Sequence, residues 1–495
     1  MKKIAICMSL LLGQVWGLSC TTPVTLSESG RNVTTPKVAI NEEGEVLTVW
    51  VSKNPENKEE TLFAATRDGE KKWSSAVLSE PVADIYLRDP YIDAQGNQFV
   101  FWEVEKENEE GDELEYYQFT KKEKNQAWTP AVNVSNPEDK LKYPKVAFDS
   151  QRNVLLLSHA EDKDPKDIWS RTKYTIVSHL YSHQKGEVKK TEIAQKEGYS
   201  SSQHLVKNRT GKVFAWWEDR TYKGNESEKL LKGSWLLDDG SWSTPATLFS
   251  FSDSYYLSRM KGAMNSKGDL AMLWIKSLSG HETIQAATCI DGQWSEPLDI
   301  AVSDDFSLLN VKMNDAGHIA ACWANKEKGK DVVYVADKPI GQSWSSPIAV
   351  SNSTKDANSC KMSMDEQGNI LMIWIFSEGR KEVPYAAYKP VNQEWGASVR
   401  LSNGTQGCSG LKVESNHQGS FVVLWNEIQR KQISIHGAAL STATKEWTSA
   451  TLSTPGQDCG KFKFAFNKKG QGIIAWETTW DFEDSFIQVA ELNVN

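Results

Sequence analysis

The chain has 495 residues, 20 of them Trp, and a formal net charge of −9 at pH 7. An acidic balance excludes the basic footprint of a nucleic-acid binder, and nothing past the N-terminus is apolar for long enough to cross a bilayer as a helix. No Cys-x-x-Cys pair or clustered His/Cys set points to a metal, and no motif calls for a cofactor; His179 and His183 stand four apart, but in a strand pattern.

Met1-Lys2-Lys3 followed by the apolar run from Ile4 to Leu12 reads as a secretory signal over residues 1–20, with one domain over 21–495. The stretch Gly17-Leu18-Ser19-Cys20 resembles a bacterial lipoprotein box, in which Cys20 is acylated and becomes the first residue. It departs from that pattern at Gly17, where the family has Leu. The alternative is ordinary cleavage near Gly17 or Ser19. Both readings export the protein, either as a lipoprotein of the outer membrane, periplasm or cell surface, or secreted. Membrane contact is then through a lipid anchor only.

From Asn41 onward one unit recurs nine times: an Asn or Asp, a Gly three residues on, and a Trp six beyond it. It reads Asn41-Gly44-Trp50, Asp93-Gly96-Trp102, Asn208-Gly211-Trp217, Asn265-Gly268-Trp274, Asn314-Gly317-Trp323, Asp365-Gly368-Trp374, Asn416-Gly419-Trp425 and Asn467-Gly470-Trp476. The third copy, Asp149-Arg152-Ser158, keeps only the acid. A period of roughly 50 residues signals stacked supersecondary units. Each unit alternates polar and apolar residues before the turn and runs apolar after it, the pattern of paired strands. A third strand follows, and a fourth is expected from a second Trp, such as Trp344 or Trp395. Four antiparallel strands per repeat make a propeller blade.

The last repeat supplies three strands, and Thr22 to Ser27 resembles the ending of a fourth. The expected fold is therefore all-β: a single closed β-propeller of nine four-stranded blades, its N-terminal strand completing the last blade. The alternative is eight blades, with 139–200 bulged out.

Seven residues before each turn Gly, or its equivalent in the third copy, stand Lys37, Asp89, Lys145, His204, Lys261, Asn310, Lys361, Lys412 and Lys463, with mostly apolar residues following them. On the first strand of a propeller this position faces the axis. Two readings of the ring stand: an anion-binding channel, or lysines that snorkel onto nearby carboxylates. A second polar set, including Glu218 and Arg220, follows the strand-two Trp on the long-loop side. Cys408 and Cys459 lie at equal offsets in adjacent repeats and are the candidate disulfide; buried thiols are the alternative.

The turns at Asp68-Gly69, Asp238 to Trp242 and Asp291 to Trp294 resemble decayed Asp-boxes of sialidase-like propellers. That resemblance implies a sialidase-type site of three arginines, for which Arg88, Arg220 and Arg259 are the candidates. No Tyr–Glu nucleophile pair is assignable from the sequence. The expected function is thus an exported, non-enzymatic binding or scaffold protein, acting as a monomer, for an anionic glycan or an acidic protein partner. It would bind on the long-loop face or in the channel. The alternatives are a sialidase-like glycoside hydrolase and a structural envelope lipoprotein.

Overall fold

A side-chain oxygen that accepts from backbone N–H groups two and four residues on locks a tight turn. Asn41 Oδ1 takes the N–H of Glu43 at 3.1 Å and of Glu45 at 3.0 Å. Asp93, Asp149, Asn208, Asn265, Asn416 and Asn467 do the same in their own repeats. In the computed structural model each turn joins the first two strands of an antiparallel sheet, and nine such four-stranded blades form the propeller. It describes residues 17–494 apart from 28–31, 35, 108–110, 112, 163–172, 198–202, 224–225, 404–406, 431 and 481–483. Trp16, Trp169, the tip of the charged 105–113 loop and most of the 161–171 loop lie outside the described residues.

Blade seven is representative: Asp356–Met364, Ile370–Glu378, Lys381–Lys389 and Val399–Arg400. The inner strands of the other blades are Lys37–Ile40, Asp84–Leu87 with Tyr91–Ile92, Leu141–Phe148, His204–Lys207, Tyr256–Met264, Phe306–Met313, Gly407–Ser415 and Asp458–Phe466. The degenerate third repeat is a full blade, completed by Val154–Asp162, Lys173–Tyr181 and Val188–Glu197, so the count is nine. Where that repeat lacks its Trp, Trp242 of blade four packs against Leu157 and Ile176 and donates to Ser178 Oγ at 2.9 Å.

The core is a series of wedges between blades. Residues of blades six and seven share one cluster, of seven and eight the next, and of eight and nine another. The strand-two Trp residues are the keystones, all at most 2% exposed. The fourth strand starts at its Trp as expected in blades one and eight, Trp73–Val77 and Trp447–Thr451, but not throughout. Trp344 and Trp395 stand outside theirs, and those strands are only Ile348–Ala349 and Val399–Arg400. In blade six the Trp-x-x-Pro segment explains this, because proline removes a ladder donor.

The ring closes as expected. Val24 pairs with Val489 and Thr25 with Gln488 on the last strand, Asp484–Val494. The pairing also reaches further back, with Leu18 opposite Val494 and Leu18 buried against the cores of blades eight and nine.

Candidate functional site

The ring position falls opposite the residue before the strand-two Trp: Lys37 pairs Val49, Lys145 Leu157, Lys261 Leu273, Lys361 Ile373, Lys412 Leu424 and Lys463 Ala475. All six therefore stand at one level of the inner strands. Two residues ahead of the lysine the strand bulges in blades three, five, seven and eight. Tyr143, Arg259, Ser359 and Gly410 take left-handed backbone there, at φ 53°, 48°, 54° and 66°. A bulge of this kind bends the strand and re-aims the side chains beyond it.

The ring is electrically uneven. Lys37 lies 3.0 Å and Lys463 3.8 Å from Asp89 of blade two. Burial pushes the Asp89 carboxyl up, but Lys37 and then Lys463 and Lys412 hold it below the usual carboxylate range. Lys412 stands 5.4 Å over the Phe462 ring; burial, reinforced by Lys463, brings its ammonium down to about 8. Two residues on, burial raises the Glu414 carboxyl to about 7, against the pull of Lys312, Lys412 and Lys463. That sector contains its own counter-charges.

The other side does not. Lys145, Lys261 and Lys361 make no ion pair among the described residues. Burial lowers the Lys145 ammonium, and the positive charges of Arg88 and Lys261 lower it further. His204 stands against the Trp216 indole, with centroids 5.2 Å apart.

The three candidate arginines do not share one ion-pair network. Arg88 pairs with Glu103 within its own blade, and Arg220 pairs with Asp253 at 3.0 Å. Arg259 is the exposed bulge residue of blade five. Glu218 is half-buried on the strand that carries Arg220. A Tyr–Glu pair does exist, unseen in the sequence: Tyr117 stands opposite Glu103. Its hydroxyl is a poor nucleophile, because the residue is 1% exposed and burial, with the Glu103 charge, pushes its pKa up.

The disulfide expectation is overturned. Cys408 and Cys459 are both free and buried. Cys408 packs in the wedge between blades seven and eight, Cys459 in the wedge between eight and nine. Equal offsets give equal faces, so each thiol meets the preceding blade and not the other thiol. The thiols that do meet are Cys322 on strand two of blade six and Cys360 on strand one of blade seven, which interact in one wedge. Among the described residues no group of His, Cys, Asp and Glu is arranged to hold a metal ion.

At the turn-side mouth, Arg209 of blade four ion-pairs with Asp315 of blade six and Glu366 of blade seven. The sequence signal existed, since each is the residue after the turn Asn or Asp, but offset alone does not say which of nine turns face each other.

No protein-family model matches the chain, and no curated protein matches it by sequence. Solved structures do resemble it. Polysaccharide lyase Uly1 aligns at 12% identity and TM-score 0.39, over 72% of this chain and 90% of that one. The β-propeller domain of the Trilobed protease from Pyrococcus furiosus aligns at 12% and 0.36, over 75% and 96%. The Penicillium chrysogenum α-L-arabinanase complexed with arabinobiose aligns at 12% and 0.30, over 59% and 92%. At such identities the chain is similar to these proteins as a β-propeller, and nothing about its chemistry can be taken from them.

Proposed function

We propose that this is an exported, monomeric binding protein that takes an anionic ligand, a carboxylated glycan or an acidic segment of a partner, in its axial channel. One observation carries the reading: Lys145, Lys261 and Lys361 stand at one level of the inner strands without ion-pair partners among the described residues, and Lys145 is further disfavoured by like charges. Cations gathered in a low-dielectric funnel attract an anion and gain most from its arrival. The separated arginines and the shielded Tyr117 hydroxyl support binding over hydrolysis.

Changing Lys145, Lys261 and Lys361 together to Gln is expected to weaken binding of an anionic ligand at least tenfold and to flatten its salt dependence. Titration calorimetry at two ionic strengths, read beside a glycan array and a partner pull-down, measures both. Unchanged affinity in the triple variant would sink the reading. Robust cleavage of a fluorogenic sialoside, lost in Arg88→Ala, would favour the hydrolase instead.

Export belongs to the same proposal, with Cys20 or a site just before it as the point of processing. The Cys20 thiol donates to the Leu452 carbonyl at 3.1 Å. Cleavage at Cys20 would remove Leu18 from its seat in the core, whereas earlier cleavage keeps it. The N-terminal mass of the native protein tells the two apart.

A further inference from the structure

The residue four before the turn Gly, or its equivalent in blade three, ends the inner strand. In blade order it is Ile40, Ile92, Phe148, Lys207, Met264, Met313, Met364, Ser415 and Phe466. One copy breaks an otherwise largely apolar position with a charge. Lys207 lines a pocket of about 560 Å³ on the turn side, between blades two, three and four. That volume lies within the usual range of small-molecule sites, roughly 300–1,000 Å³.

The pocket is assembled from departures in the repeat. Tyr91 and Phe148 stack with centroids 4.8 Å apart, and the Lys207 ammonium stands 5.2 Å over Phe148 and 5.8 Å over Tyr91. Facing aromatic rings fix a cation electrostatically. Lys207 makes no ion pair among the described residues. The walls surround the ammonium without covering it, and burial lowers its pKa. Arg152, which replaces the turn Gly of blade three at φ 67°, reaches back to Asp93 of blade two at 2.9 Å. Asp93, Asp149 and Thr210 complete the polar lining.

We infer that this pocket binds a carboxylated sugar, with its carboxylate on Lys207. Two features select that class. The ammonium is oriented and lacks a counter-charge within ion-pair distance, so a single carboxylate is wanted. Asp93 is spent on its turn, Asn97 and Arg152, but Asp149 Oδ2 accepts only from Asn153 and has capacity left for a ligand rich in hydroxyl donors. An acidic peptide has few donors to offer Asp149, and a phosphate has none beyond a single hydroxyl. The inference rests on the anion-binding reading above and places a second site at the mouth, apart from the lysine level.

The test is calorimetry with a uronate tetrasaccharide, its neutral carboxyl-reduced counterpart, inorganic phosphate and a poly-Glu peptide. Lys207→Met installs the residue native to blades five, six and seven, and Arg152→Gly restores the turn residue of the other copies, so both are expected to keep the fold by circular dichroism. In a two-site fit, each should weaken the pocket component of uronate binding at least tenfold and leave the channel component within threefold, the Lys145/Lys261/Lys361 triple variant should do the reverse, and the neutral sugar should bind the pocket at least tenfold more weakly than the uronate. If Lys207→Met binds as wild type while the triple variant loses binding, the pocket is refuted and the channel reading stands. If no anion binds the wild-type protein, both fail. Phosphate or poly-Glu binding as tightly as the uronate, with loss in Lys207→Met, would overturn the sugar assignment.

Discussion

Asparagine and aspartate are interchangeable in the repeat as sequence but not as structure. Both accept the turn's N–H groups; only Asn has a donor left over. Asn41, Asn208 and Asn467 send theirs to the turn carbonyl of the next blade, at 3.1, 2.8 and 2.8 Å. Asp93, Asp149 and Asp365 cannot, and each instead accepts from an Asn four residues on. At Asp93 the link between blades is restored from the other side, by Arg152. The residue that stands in the glycine's place in the third repeat thus supplies that link. Asn467→Asp should therefore set a carboxylate against the Asn41 carbonyl at the closing seam. The expected cost is about 1–3 kcal/mol in urea denaturation, smaller at pH 3 where the acid can donate. Equal stability at both pH values would contradict the account.

At the scale of the strand, the bulge ahead of the ring lysine uses left-handed backbone, which only Gly410 adopts without strain among its four occupants. Arg259→Gly should raise stability by about 0.5 kcal/mol, the relieved strain exceeding the added unfolded-chain freedom. It should leave anion binding intact; a loss of binding would return Arg259 to the candidate site. The strands themselves were legible in the sequence, because Trp, Gly and Asx recur in register and each has a local physical job. The bulges were not, since their four occupants, Tyr143, Arg259, Ser359 and Gly410, share no chemistry. The cysteines failed for a related reason. A sequence offset gives height along the axis and face of the blade, so Cys408 and Cys459 looked alike and were for that reason apart. Arg209 and Asp315, two blades distant, could be matched only once the angles around the ring were known.

Across the whole molecule, the channel is a titrating object. Glu414 keeps its proton to about 7 when folded against an ordinary 4.5, so the folded state binds more protons than the unfolded one between those values. Stability contributed by this residue is full below about pH 4.5 and falls as pH rises toward 7. Glu414→Gln should thus match wild type at pH 4.5 and exceed it by about 1–3 kcal/mol at pH 8, in thermal denaturation across that range. A variant less stable at pH 8 would show that Glu414 is held charged by Lys312, Lys412 and Lys463. Anion affinity should fall over pH 6 to 9, as Glu414 gains charge and Lys412, at about 8, loses it.

The seam at blade nine has a bearing on how the chain becomes a ring. The strands Leu18–Cys20 and Val24–Thr25 both pair with Asp484–Val494, far along the chain from them. A contact across so long a separation closes a large loop, so it forms after the local hairpins of the blades between. Until it does, blades one and nine present open flanks, as a stack of wedges does before its final piece is set. Closure is thus a late step, and the fold acquires its full cooperativity only when these distant strands meet.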